Sequence, residues 1–132
     1  MPDSIKDVIS RLDSATKGYD NHFLNIAIAY GGQNELVDAV KKIGNKIKEG
    51  KLDTKDIDKH VIEENLYTSY LPQPSADMIL RTSGEKRMSG FLMWQSAYSE
   101  LVFLEVFWPG FRKIDLMRAI RVFQKRKRRI GK

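Results

Sequence analysis

Three short apolar runs, HFLNIAIAY at 22–30, MILRT at 78–82 and ELVFLEVF at 100–107, are separated by segments whose apolar residues recur every three or four positions. Runs this short and continuous predict strands buried on both faces, and the three-and-four spacing predicts amphipathic helices. Strands with helices between them pair in parallel, because a tight hairpin can join only antiparallel neighbours. The predicted order is α-β-α-α-β-α-β-α, an α/β fold with a three-layer arrangement around a small parallel sheet.

The first helix carries Ile5, Val8, Ile9, Leu12 and Ala15, with Asp3 or Ser4 to cap it and Gly18 beyond its end. Asn34 is placed to cap a second, with Leu36, Val40, Ile43 and Ile47 facing a core and Gly50 as its stop. A third is expected from Asp53 or Thr54, carrying Ile57, Val61 and Ile62, and a fourth around Trp94, from Phe91 to Tyr98. The last presents Ile114, Met117, Ile120 and Phe123 on one face and basic residues on the other. With 132 residues and no repeat or linker, the chain has the size of one domain. Three strands make a small sheet, which suggests part of a larger one.

Composition removes several kinds of chemistry. There is no cysteine, hence no disulfide, thiolate nucleophile or cysteine-held zinc. His22 and His60 lie far apart, without metal-type spacing. No apolar run approaches a membrane span, and the first residues lack the pattern of a secretory leader, so the expected address is cytoplasmic. The net charge of +6 is uneven: from Arg112 to Lys132 there are ten Lys or Arg against one acid, Asp115. Such a stretch suits nucleic acid, an anionic membrane surface, a phosphorylated ligand or simply a solvated helix face.

In open parallel sheets, ligands collect beyond the carboxyl ends of the strands. One such end is Tyr30-Gly31-Gly32-Gln33-Asn34, where the glycines allow a sharp turn into a helix start. The other is RTSGEKRMS, residues 81–89. Arg81 ends the strand, and Arg87 and Ser89 are expected near the start of the next helix. A solvated loop satisfies these residues. An anion site is the preferred reading, because arginines bracket a glycine turn and guanidinium forks with hydroxyl and N–H donors are what phosphate requires. Glu100, between helix and strand, is a surface charge, a cap partner or one oxygen ligand for a divalent cation.

The segments LNIAIAYGGQNELVDAV, LPQPSADMILRTSGEKRMSGFLMWQSAYSELVFLEVFWPGF and RKRRIG resemble the C-terminal half of the cis-prenyltransferases, the undecaprenyl and dehydrodolichyl diphosphate synthases, or Z-type isoprenyl diphosphate synthases. The resemblance covers nearly the whole chain. It implies a prenyl transferase reaction, in which isopentenyl diphosphate is added repeatedly to an allylic diphosphate with Mg2+ assisting. By motif, Arg81, Arg87 and Ser89 would hold the isopentenyl diphosphate, and Glu100 matches the magnesium-associated glutamate, contributed across the homodimer in some members. Arg129-Ile130-Gly131 matches an Arg-x-Gly signature in which one subunit's tail completes its partner's phosphate site, so Arg129 and Gly131 join the substrate-binding set.

The resemblance also implies what residues 1–132, as a single partial domain, would lack. Family members carry an upstream Asp-Gly-Asn-x-Arg-Trp motif serving the allylic diphosphate, and no Asp-Gly-Asn tripeptide occurs here. The expectation is a fragment or subunit carrying the isopentenyl half-site, inactive alone, which forms a homodimer or complements an N-terminal half. The alternatives are a non-catalytic accessory subunit of a heteromeric enzyme and a basic nucleic-acid-binding module. The last is disfavoured because the arginines lie in a prenyltransferase motif and no aromatic stacking pattern interleaves with them. Peripheral membrane contact through the basic tail accords with a cytoplasmic address.

Overall fold

The computed structural model describes residues 3–126. Helix α1 spans Asp3–Thr16, α2 spans Gly32–Lys48, α3 is the single turn Lys59–Glu63, and α4 spans Lys113–Lys125. Strands β1 (Met78–Arg81) and β2 (Glu100–Phe103) pair in parallel, with Met78 opposite Glu100 and Arg81 opposite Phe103. This is the expected α/β class with a small parallel sheet. The connection from β1 to β2 runs through residues 82–99, long enough for the crossover that parallel pairing demands.

Two predicted elements are not formed, and the predicted strand 100–107 is regular only over Glu100–Phe103. The run 22–30, expected as a buried strand, pairs with no strand among the described residues, and its side chains face solvent, Leu24 being 84% exposed. A strand is completed by a neighbouring strand, none of the described strands lies beside this run, and Ala29, with φ of 53°, bends its end out of the extended conformation. Residues 91–98, expected as a helix, form a chain of turns instead. Ser89, Gly90 and Leu92 have φ of 49, 74 and 47°, left-handed conformations that cannot continue a right-handed helix. Only a bond from Ser96 N–H to the Leu92 carbonyl has helical spacing, whereas Ala97 and Ser99 reach back three residues to Trp94 and Ser96.

Helix α2 starts two residues before the predicted cap, with Gly31 at its N-cap. Its inward stripe is Glu35, Ala39 and Ile43, one residue per turn, and Val40, expected inside, is exposed. The third helix is shorter than expected because a 3-10 turn occupies Thr54–Asp56, capped by Asp53; Asp58 then caps α3 by accepting from Val61 N–H. α4 packs against β2, burying Ala119 and Asp115, while Ile114 and Met117 stay exposed. The buried apolar core among the described residues is Ala39, Ile43, Leu66, Val102 and Ala119. Helix α1 buries no residue, and an open cleft of about 1030 Å³ separates it from residues 22–26.

Candidate functional site

The carboxyl end of β1 feeds a turn folded back on the continuation of β2. Ser83 and Gly84, with φ of 76 and 71°, donate their N–H groups to the Val106 and Leu104 carbonyls at 2.9 Å each, and Leu104 N–H returns to the Arg81 carbonyl at 2.8 Å. These backbone donors are therefore consumed in fixing the turn and are not free to face an anion. The side chains remain. Arg81 Nη1 donates to Ser89 Oγ at 3.1 Å, so the structure brings together two of the predicted ligands eight residues apart. Arg87 lies in the same loop but is engaged elsewhere, its Nη2 pairing with Glu85 Oε2 at 2.8 Å. An anion would have to exchange with this exposed pair, a small cost for surface charges.

A second contact locks this turn to the other strand end singled out by the sequence. Gly32 N–H donates to the Gly90 carbonyl at 3.1 Å, and a Cβ on Gly32 would lie 2.2 Å from that oxygen. Only glycine allows so close an approach. The start of α2 and the turn after β1 are thus joined through their backbones.

Behind this junction lies a polar cluster that sequence reasoning missed. Glu35, 1% exposed, accepts from Tyr67 N–H at 2.8 Å and Gln95 Nε2 at 3.0 Å through Oε1, and from the Tyr30 hydroxyl through Oε2. Gln95, 3% exposed, also donates to Thr68 Oγ1 at 3.0 Å. Tyr30 meets Phe91 and Tyr67 edge-on, with ring centroids 5.5 and 6.3 Å apart. Burial, reinforced by the hydrogen bond to and charge of Glu35, raises the Tyr30 pKa well above the ordinary tyrosine value. One carboxylate therefore ties α2 to the segment after α3 and to the turns before β2. A legible signal existed: Glu35 falls on the same stripe as Ala39 and Ile43, where a lone carboxylate must find donors.

Glu100 does not join Arg81 and Ser89 within this chain. Parallel register puts it opposite Met78, at the far end of the two strands, separated from Arg81 by about 10 Å of strand. Its Oε2 accepts from Arg126 Nη1 at 2.8 Å. No cluster of three or more His, Cys, Asp or Glu residues able to hold a metal occurs among the described residues. Glu100 is thus a hard oxygen donor of the right chemistry but not a complete magnesium site, and in this structure it is engaged by a guanidinium. Arg129 and Gly131 lie outside the described residues.

The fold is that of an α/β protein with Arg81 at the carboxyl end of a parallel strand and the start of α2 joined to the loop that follows it. The family model for undecaprenyl diphosphate synthase matches residues 1–131, and the chain belongs to that cis-prenyltransferase family. It is 52% identical over all its length to the tritrans,polycis-undecaprenyl-diphosphate synthase (geranylgeranyl-diphosphate specific) of Methanocaldococcus jannaschii, of which it covers 47%. The enzyme of the same name from Methanopyrus kandleri is 51% identical, with 48% covered. In structure it superimposes on lavandulyl diphosphate synthase from Lavandula x intermedia, solved in complex with dimethylallyl diphosphate, with a TM-score of 0.97 and 32% identity; all of this chain and 56% of that one are covered. The chain spans about half the length of the curated relatives it matches.

Proposed function

We propose that residues 1–132, as one partial domain, supply the isopentenyl-diphosphate half-site of a cis-prenyltransferase. The observation that carries this reading is the Arg81–Ser89 contact at the carboxyl end of β1, with Arg87 in the same loop, in a chain of this family. Two guanidinium forks and a hydroxyl suit the oxygens of a diphosphate, and Arg129 and Gly131 of a second copy's tail would complete the set. Since the relatives are named as geranylgeranyl-diphosphate specific, that compound is taken as the allylic substrate of the completed enzyme. The allylic carbon loses diphosphate with its bonding electron pair, the isopentenyl double bond adds to it, and a proton is lost to form the new double bond. Mg2+, when bound, would neutralise charge on the leaving diphosphate. This chain's own contribution is to hold and orient the isopentenyl partner in a near-attack position.

Both diphosphates must be held at once, and the chain carries a site for one. It is therefore expected to bind isopentenyl diphosphate, to self-associate, and to form no polyprenyl product without an N-terminal half carrying the Asp-Gly-Asn motif. The basic stretch after Arg112 would meet an anionic membrane surface at the cytoplasmic face, and among the described residues no helix is long and apolar enough to cross a membrane. Calorimetric titration with isopentenyl diphosphate tests the site. Arg87→Ala is expected to lose about 1.5–3 kcal/mol of binding, and a random oligonucleotide to compete poorly. Equal affinity in wild type and variant would remove Arg87 from the site. A second reading, a non-catalytic subunit completing an active partner, is favoured by the uncovered apolar faces of α1 and residues 22–30. In that case Arg87→Ala would leave turnover of the reconstituted complex unchanged.

A further inference from the structure

Helix α4 turns Asp115 and Ala119, one helical turn apart, inward where it packs on β2. Its outer stripe is Ile114, Met117, Arg121 and Lys125, spaced by three or four residues, with Lys113 beside them. All five are exposed, Ile114 at 47% and Met117 at 52%. The only acid between Arg112 and Arg126 is Asp115, which is buried and paired with Arg112 and Arg118. Among the described residues no ion pair engages Lys113, Arg121 or Lys125. The stripe therefore mixes apolar side chains with cations that nothing on the helix neutralises. An aromatic step leads into it. Trp108–Gly110 form a 3-10 turn, and Trp108 stacks on Phe111 with ring centroids 5.7 Å apart and planes 8° from parallel, yet stays 72% exposed. Asp115 fixes the join between turn and helix by accepting from Arg112 N–H at 3.0 Å.

We propose that the outer stripe of α4, led by Trp108, docks on a bilayer carrying anionic lipid: Trp108, Ile114 and Met117 enter the headgroup boundary while Lys113, Arg121 and Lys125 stay at the lipid phosphates. The inference rests on reading the basic stretch after Arg112 as a membrane contact, and adds which face docks and that it inserts. Three considerations select lipid. A helix face meant only for water gains nothing from exposed isoleucine and methionine among its cations, whereas a helix lying in a bilayer interface uses both, its long basic stems reaching past the apolar side chains to the headgroups. A second copy using the same face would set cation against cation, because a two-fold contact brings a patch onto itself. Nucleic-acid phosphates would meet the cations but offer no apolar cover to Ile114 and Met117.

The test is partition of the 132-residue chain onto vesicles of phosphatidylcholine containing about one quarter phosphatidylglycerol, against vesicles of phosphatidylcholine alone. Trp94→Phe makes Trp108 the sole tryptophan, and its emission is expected to shift to the blue on the anionic vesicles and to be quenched by brominated acyl chains. Trp108→Ala should weaken partition about tenfold and Met117→Gln about fivefold. Arg121→Gln should cost about fivefold, the loss of one cation near an anionic surface. Val40→Gln removes an exposed apolar side chain from α2 instead, and should change partition by less than about twofold. Should Trp108→Ala fail to fold, Met117→Gln and the quenching of Trp108 decide the matter. Binding to anionic vesicles that leaves Trp108 unquenched and is indifferent to Met117→Gln would overturn insertion and leave the basic-stretch reading standing. No preference for the anionic vesicles would overturn both. A loss in Val40→Gln as large as that in Met117→Gln would mean that any uncovered apolar surface adheres, and would overturn the assignment to α4. A random oligonucleotide that displaces the chain from vesicles at matched phosphate concentration would give the face to nucleic acid instead.

Discussion

Replacing Glu35 separates loss of charge from loss of connection. In Glu35→Ala, the Tyr67 N–H and the Gln95 amide both lose their acceptor in a site closed to water, and the Tyr30 hydroxyl loses its partner. Each enclosed donor left unsatisfied costs about 1–3 kcal/mol, so the variant should lose about 3–5 kcal/mol, the hydroxyl being free to rotate. Glu35→Gln keeps the shape and one acceptor oxygen and gives up only the charge assistance, about 1–2 kcal/mol. Urea unfolding followed by Trp94 and Trp108 fluorescence reads the difference. With a denaturant slope of about 2 kcal/mol per molar, the two midpoints should lie about 1 M apart, the alanine variant the lower. Coincident midpoints would refute the reasoning, because they would mean that the donors around Glu35 find other partners when it is cut back.

Two further outcomes are expected. The folded-state pKa of Tyr30 is raised above the ordinary value of 10.0, so its contribution to stability is complete below pH 10 and is lost as pH rises toward the folded value; Tyr30→Phe should flatten the alkaline decline in thermal midpoint above pH 10, and an unchanged slope would exclude Tyr30 as its source. Gly32→Ala drives a Cβ to 2.2 Å from the Gly90 carbonyl oxygen, which should cost about 1–3 kcal/mol and weaken isopentenyl diphosphate binding by displacing the turn that carries Ser89, as paired melting and calorimetry would show.

The helices at both ends, β1, β2 and the parallel pairing were legible because apolar periodicity is local. Residues 22–30 were not, since whether an apolar run becomes a strand depends on what lies beside it. Nor were residues 91–98, where left-handed serine and leucine leave no mark in the pattern as glycine does. Arg81 and Ser89, singled out by the rule that ligands collect beyond strand carboxyl ends, do lie in hydrogen-bond contact beyond the end of β1. The separation of Glu100 from them also follows from that rule, for a residue opening one parallel strand lies opposite the beginning, not the end, of its neighbour. Glu35 escaped notice because a carboxylate in a helix's first turn is normally explained by the helix dipole alone.

The exposed run 22–30 has a consequence for how the chain behaves wherever no covering element is at hand. Exposed Phe23, Leu24, Ile26 and Ile28 on a backbone that finds no ladder among the described residues offer a surface onto which another copy can add, since its peptide groups can pair with those left open here. Productive docking of a covering element and unproductive stacking of copies therefore compete for the same edge. The first scales with the concentration of the covering element and the second with that of the chain itself. If that element is a second chain, supply of the two in equal numbers, close together and at the same moment would favour the first.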